Sequence, residues 1–126
     1  MGCSLLIVED DQSQRDTLTR WFSQRGFRVS SCSHPRQALE AVKSKEVQVA
    51  LLDLSLPEMD GIELMQRLQR IQHSMQVIIL SGYDYPMQRA RMDGAFTVLT
   101  KPCALTELEH TVEDASEQVA EELMVR

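Results

Sequence analysis

The run Val49-Ala50-Leu51-Leu52 carries no polar side chain, stops at the carboxylate of Asp53, and leads into the turn-rich stretch Leu54 to Gly61. A short strand that is apolar throughout is buried on both faces, so it needs helices above and below it and points to a parallel sheet in an α/β domain. Asp53 then stands at the exit of a central strand, the edge where open α/β sheets gather ligands and chemistry.

The rest of the chain repeats this pattern. Leu5 to Val8 reads as a first buried strand that ends at Glu9, Asp10 and Asp11. Ser13 to Arg25 places Leu18, Trp21 and Phe22 at helical spacing and stops at Gly26, after which Phe27 to Cys32 alternates as a second strand. Pro35 opens a helix with Ala38, Leu39 and Val42 on one face, and Val47 to Leu52 is the third strand. Ile62 to Ile71 predicts a helix, Gln76 to Leu80 a strand ending at Ser81, and Met87 to Asp93 a weaker helix stopped by Gly94. Phe96 to Leu99 is a fifth strand before Thr100-Lys101-Pro102, and Leu105 starts a last helix striped by Leu108, Val112, Ala115, Val119 and Leu123. Strands alternating with helices in this way predict a doubly wound five-stranded parallel sheet of order 2-1-3-4-5 with five helices. That order sets strands 1 and 3 side by side and brings Asp10 to Asp53.

At 126 residues the chain is expected to form one domain over residues 1–126. Its net charge of -6 argues against direct nucleic-acid binding, which needs a basic face, so any role directed at DNA is delegated. Cys3, Cys32 and Cys103 are odd in number and lack CxxC spacing, which favours reduced thiols and a cytoplasmic location over a disulfide framework or a zinc site. Neither a signal peptide nor a membrane-length apolar run is read, so no membrane association is expected.

The predicted sheet edge collects Glu9, Asp10 and Asp11 from strand 1, Asp53 from strand 3, Ser81 from strand 4 and Lys101 from strand 5. Carboxylates crowded in one cleft repel each other unless a hard cation or protonation relieves them, and oxygen donors of this kind suit Mg²⁺. With a lysine as point charge and a hydroxyl beside them, they make a set fit for phosphoryl transfer to a carboxylate.

In order along the chain, Leu6-Ile7-Val8-Glu9-Asp10-Asp11, Leu52-Asp53 with Pro57, Met59, Asp60 and Gly61, Leu80-Ser81-Gly82, Gly94-Ala95 and Lys101-Pro102 resemble the receiver domain of bacterial two-component response regulators, a flavodoxin-like fold. The resemblance implies that Asp53 accepts a phosphoryl group from a sensor histidine kinase or phosphotransfer protein and switches a downstream effector not named by the sequence. It implies Mg²⁺ held by Asp10, Asp53 and the backbone carbonyl of Ser55, with Glu9 acting mainly through a water. It further implies Lys101 paired with Asp53 and then with the phosphoryl oxygens, Ser81 bonded to the phosphoryl group, and a cis Lys101-Pro102 peptide. The domain would be a switch that promotes its own phosphorylation and dephosphorylation rather than an enzyme acting on a substrate pool.

Some positions depart from that pattern or stay open. Val98 stands where the family usually has Tyr or Phe, so a weaker or differently wired coupling between Asp53 and the face of the fourth helix, fifth strand and fifth helix is expected. Ser55 and Tyr83 flank the expected path of attacking water and bear on phosphoryl lifetime. His34, His73 and His110 lack metal-ligand spacing and read as surface or cap residues, Cys103 as a small filler, and Trp21 as core or interface filling. A homodimer through the face carrying Arg89, Arg91 and Glu107 stays open, since any solvated surface presents such residues. From about residue 117 the last helix is either an overlong terminal helix or a linker toward an effector, with Val119 and Leu123 expected beyond the sheet. Two rival functions are a Mg²⁺-dependent phosphohydrolase with an Asp nucleophile, disfavoured by a nucleophile after strand 3 and Ser at 55, and a receiver that is not phosphorylated and only mediates protein contacts. A dinucleotide site is set aside because the first loop is acidic rather than glycine-rich.

Overall fold

A computed structural model describes residues 2–124. The elements run β1 (Ser4–Val8), α1 (Gln12–Gln24), β2 (Arg28–Cys32), α2 (Pro35–Ser44), β3 (Val49–Asp53), α3 (Gly61–Ile71), β4 (Gln76–Ser81), α4 (Met87–Met92), β5 (Thr97–Thr100) and α5 (Leu105–Met124). All the strands are parallel and their order is β2-β1-β3-β4-β5, as the alternation predicts. Element ends agree with the sequence reading to within a residue or two, the usual latitude of helix and strand ends.

The central strands bury both faces, and their residues divide by parity. Leu5, Ile7, Val49, Leu51, Ile78 and Leu80 pack with Leu18 and Phe22 of α1 and Leu108, Val112 and Ala115 of α5. Leu6, Val8, Ala50, Leu52, Val77 and Ile79 pack on the other side with Ala38 and Val42 of α2, Leu64, Met65 and Leu68 of α3 and Ala90 of α4. Right-handed crossovers require this division, because the chain reverses direction across the sheet after β2 and must change face to do so. The two layers hold the strand ends rigidly, which is what a chemical site at that edge needs.

Helix ends follow from local chemistry. Asp11 caps α1 by accepting the Gln14 N–H at 2.9 Å, and Asp60 caps α3 by accepting the Glu63 N–H at 2.8 Å. Pro35 occupies the start of α2 after His34, and Gly26 and Gly94 leave α1 and α4 at positive φ. Val119 corrects one expectation. It is 2% exposed and lies within the packed part of α5, because the helix runs along the sheet for longer than the heptad-like spacing suggested, whereas Leu123 is 47% exposed. The Gln76 side-chain amide donates to Glu122 at 3.3 Å and so ties this part of α5 to the start of β4.

Trp21 does more than fill space between α1 and α5. Its indole N–H donates to Glu109 Oε1 at 3.0 Å, Arg25 Nε meets the same oxygen at 2.8 Å, and the Arg25 guanidinium stacks 3.4 Å from the centre of the indole ring. The pair is partly exposed, which limits its worth. Glu109→Ala is expected to cost about 1 kcal/mol through the lost ion pair and the unpartnered indole N–H. A urea midpoint lowered at unchanged slope checks this, and an unmoved midpoint refutes it.

Candidate functional site

Register carries the site residues to one edge. Val8 is level with Leu52, so Glu9 and Asp53 follow it as neighbours, and the Glu9 N–H donates to Cys32 O at 3.0 Å. Asp53 is level with Leu80, Ser81 with Thr100, and the Lys101 N–H donates to Ser81 O at 2.7 Å. Glu9, Asp53, Ser81 and Lys101 thus stand at or one step past the last paired residue of their strands, and Asp10 one step further.

Carboxylate oxygens of Glu9, Asp10 and Asp53 lie within 4.8 Å of one another. Glu9 is 2% and Asp53 8% exposed, while Asp10 faces solvent. The Lys101 ammonium stands among them, 2.9 Å from Glu9 Oε1 and 3.1 Å from Asp53 Oδ2. Burial pushes the Glu9 carboxyl above its ordinary value, and its bonds to Lys101 and the Asp11 N–H offset only part of that rise. Burial would lower the Lys101 value, but the Glu9 and Asp53 carboxylates outweigh it and hold the ammonium charged. The cluster is acidic, hard and one-sided toward solvent at Asp10, a donor set that fits a hexacoordinate Mg²⁺ completed by waters.

The supporting bonds are local. Ser55 N–H donates to Asp53 Oδ1 at 3.1 Å, so each Asp53 oxygen has one partner. Arg15 Nη1 donates to the carbonyl of Glu9 at 2.8 Å and so holds the acidic loop from behind. Lys101-Pro102 is cis, as the resemblance implied. Glu58 in the loop after β3 has φ 70°, a left-handed conformation in a non-glycine residue.

Gly61 explains why that loop needs glycine. A Cβ there would stand 2.6 Å from the Asp53 carbonyl oxygen and 3.0 Å from Leu54 Cα, while its N–H donates to Leu54 O at 2.8 Å. Gly61→Ala is expected to lose about 1–3 kcal/mol despite alanine's better helix propensity, because backbone atoms cannot yield as a side chain can. Chemical denaturation measures the loss, and a gain in stability would show that α3 can shift freely.

Several expected partners sit differently. Ser81 is fully buried, yet its hydroxyl donates to the Tyr83 carbonyl at 2.5 Å and accepts from the Tyr83 N–H at 3.2 Å, so it is bonded into its own turn. Asp11 belongs to the helix cap. Lys101 pairs with Glu9 as closely as with Asp53, and the Gln14 side chain, which the sequence reading passed over, accepts from the same ammonium at 3.1 Å. The Asp11-x-x-Gln14 spacing marks a helix start but gives no signal for this contact, since a capping box would send the glutamine to the Asp11 N–H instead. His34, His73 and His110 are exposed, and Cys103, its thiol pushed up to about 11 by burial and Glu107, stays protonated. Among the described residues no helix is long and apolar enough to cross a membrane.

A doubly wound sheet with an acidic cluster and a lysine at its switch point defines a class, and the response regulator receiver domain profile matches residues 5–113, so this chain belongs to that family. Members act as signalling switches in two-component systems, and phosphorylation and Mg²⁺ binding are general among them. Over 114 residues the chain is 32% identical to sporulation initiation phosphotransferase F of Bacillus subtilis, covering 89% of this chain and 92% of that protein. It is 37% identical over 107 residues to the transcriptional activator protein PfeR of Pseudomonas aeruginosa, covering 83% of this chain but 35% of PfeR, so it spans about a third of that relative. A crystal structure of a Burkholderia pseudomallei response regulator, holding a phosphorylated aspartic acid, a calcium ion and citrate, superposes with a TM-score of 0.81 at 26% identity, over 98% of this chain and 75% of that one.

Proposed function

We propose that Asp53 takes the phosphoryl group, that Asp10, Asp53 and the Ser55 backbone carbonyl hold Mg²⁺ beside it with Glu9 acting through a water, and that Lys101 and Ser81 receive the phosphoryl oxygens. The observation that carries this reading is the Lys101 ammonium between Asp53 and Glu9 at 3.1 and 2.9 Å, beside three carboxylates within 4.8 Å of one another. One cation is already built into the cluster, and the remaining negative charge suits a second.

The donor is the phosphohistidine of a sensor histidine kinase or phosphotransfer protein. An Asp53 oxygen attacks phosphorus in line, the P–O bond forms as the P–N bond breaks, and the released electron pair stays on the imidazole. Magnesium, when bound, neutralises the phosphoryl oxygens. Lys101 re-aims from Asp53 to one of those oxygens, and Ser55 N–H steadies the attacking carboxylate. Hydrolysis of the acyl phosphate resets the domain, with Ser55 and Tyr83 bordering the approach of water. In this sense the chain promotes its own phosphorylation and dephosphorylation.

Ser81 supplies the switch. To reach a phosphoryl oxygen its hydroxyl must leave Tyr83, and the turn between β4 and α4 moves with it. Val98, buried against the α2, α3 and α4 layer, offers no large side chain to swing, so coupling runs through that turn. The output is a downstream effector, reached through the surface altered by the turn and through the part of α5 beyond about residue 117. A homodimer through α4, β5 and α5 remains a further route for output. With a net charge of -6 the domain does not itself bind nucleic acid, and its place is the cytoplasm.

Intact mass after incubation with acetyl phosphate tests the reading. A gain of one phosphoryl group that needs Mg²⁺ supports it. No adduct together with no binding of beryllofluoride overturns it in favour of a receiver that works by protein contact alone.

A further inference from the structure

We infer that Gln14 is a positioning residue for this transfer: its side-chain carbonyl is the third acceptor that aims the Lys101 ammonium across the mouth of the site, at 3.1 Å. The inference rests on the roles assigned above to Asp53 and Lys101.

A lysine ammonium has three N–H donors and no acceptor on a flexible stem. Here its acceptors are Glu9 Oε1 at 2.9 Å, Asp53 Oδ2 at 3.1 Å and Gln14 Oε1 at 3.1 Å, so every donor has a partner. The contact spans 87 residues of sequence and joins the first turn of α1 to the end of β5. Local bonding makes Gln14 available for it. With Asp11 at the N-cap and Gln14 three residues on, a reciprocal capping box would send the glutamine side chain back to the Asp11 N–H. That N–H instead donates to Glu9 Oε2 at 3.2 Å, while Asp11 Oδ1 still accepts the Gln14 N–H at 2.9 Å. Half of the box holds the Gln14 backbone in place, and the unused half releases its carbonyl to Lys101.

The chemistry favours a neutral acceptor at this position. During transfer Lys101 must give up Asp53 Oδ2 for a phosphoryl oxygen while staying aimed at the same small volume. A carboxylate at position 14 would hold the ammonium at least as firmly, but it would compete with the phosphoryl oxygens for the proton donors and repel the arriving charge. An aliphatic side chain would leave the ammonium with two acceptors and a free donor that turns to solvent. Transfer rates are sensitive to misplacement of this order.

Gln14→Leu and Gln14→Glu are compared with the unaltered full chain in two measurements. The first is the exchange of the Lys101 ammonium protons with water, followed by nitrogen-15 NMR without any phosphodonor. The second is the rate of Mg²⁺-dependent phosphorylation by acetyl phosphate at saturating Mg²⁺. Gln14→Leu is expected to speed ammonium exchange by about tenfold and slow phosphorylation about three- to tenfold, with an unchanged urea midpoint. Gln14→Glu is expected to keep the slow exchange and still lose rate, a separation that a merely structural role does not produce. Exchange unchanged in Gln14→Leu overturns the inference, as does a normal phosphorylation rate in that variant. An unaltered chain that neither takes a phosphoryl group nor binds beryllofluoride overturns the Asp53 assignment and the transfer role of Gln14 with it, and the ammonium measurement, which needs no donor, tells that failure apart from the loss of the tether.

Discussion

Asp53→Asn is expected to take up no phosphoryl group from acetyl phosphate at any Mg²⁺ concentration, while folding at least as stably as the unaltered chain. A carboxamide keeps the shape of the side chain but offers no anionic nucleophile, so the chemical step stops rather than slows. Stability follows a separate path. Asp53 shares a cleft with Glu9 and Asp10, their oxygens within 4.8 Å, and removing one charge eases that repulsion. Lys101 retains Glu9 and Gln14 as acceptors, so no buried cation is stranded. Intact mass and a urea titration without metal check both halves. A full phosphoryl adduct in the substituted chain would move the acceptor to another carboxylate, with Asp10 the first to test.

Lys101→Met is expected to lower the stability of the metal-free protein by about 2–4 kcal/mol at pH 8, because it strands a buried carboxylate that lysine had compensated. Methionine keeps the apolar length of the stem, so packing loss contributes little. Glu9, at 2% exposed, is left with the Asp11 N–H, and Asp53 with the Ser55 N–H. The pH dependence has a definite sign. Burial already raises the Glu9 value above 4.5, so this group favours the fold fully below that pH and withdraws its contribution as pH rises through the folded-state value. Losing Lys101 raises the folded-state value further. The deficit of Lys101→Met should therefore be small near pH 4.5, grow toward pH 8, and shrink again when Mg²⁺ is added at pH 8. Urea midpoints at the two pH values, with and without Mg²⁺, measure it. A deficit independent of both pH and metal would mean that Lys101 acts through packing alone.

Much of this arrangement was legible in the residues because the fold repeats one rule. Strands β1, β3 and β4 are short, mostly apolar runs that end at or just before a polar residue, and parallel order places those ends on one edge with the end of β5, so Glu9, Asp10, Asp53, Ser81 and Lys101 could be gathered from the residues alone. Side-chain partners were less legible, because a lysine with several acceptors in reach divides its donors by geometry that spacing does not encode. The pairing of Lys101 with Glu9 and Gln14 is of that kind. Ser81 was placed at the right strand end, but its choice of the Tyr83 turn depends on the local path of the backbone. Val119 was assigned beyond the sheet because helical periodicity gives a face without giving the length of surface that waits for it.

The parity of the strands has a use in protein engineering. Neighbouring residues such as Leu51 and Leu52 report to separate cores, one with α1 and α5 and the other with α2, α3 and α4. Substitutions on opposite sides of the sheet with no shared partners should combine additively, and those on one side should not. A redesign can thus repack one layer as an independent module, keeping the other as an internal reference within the same molecule.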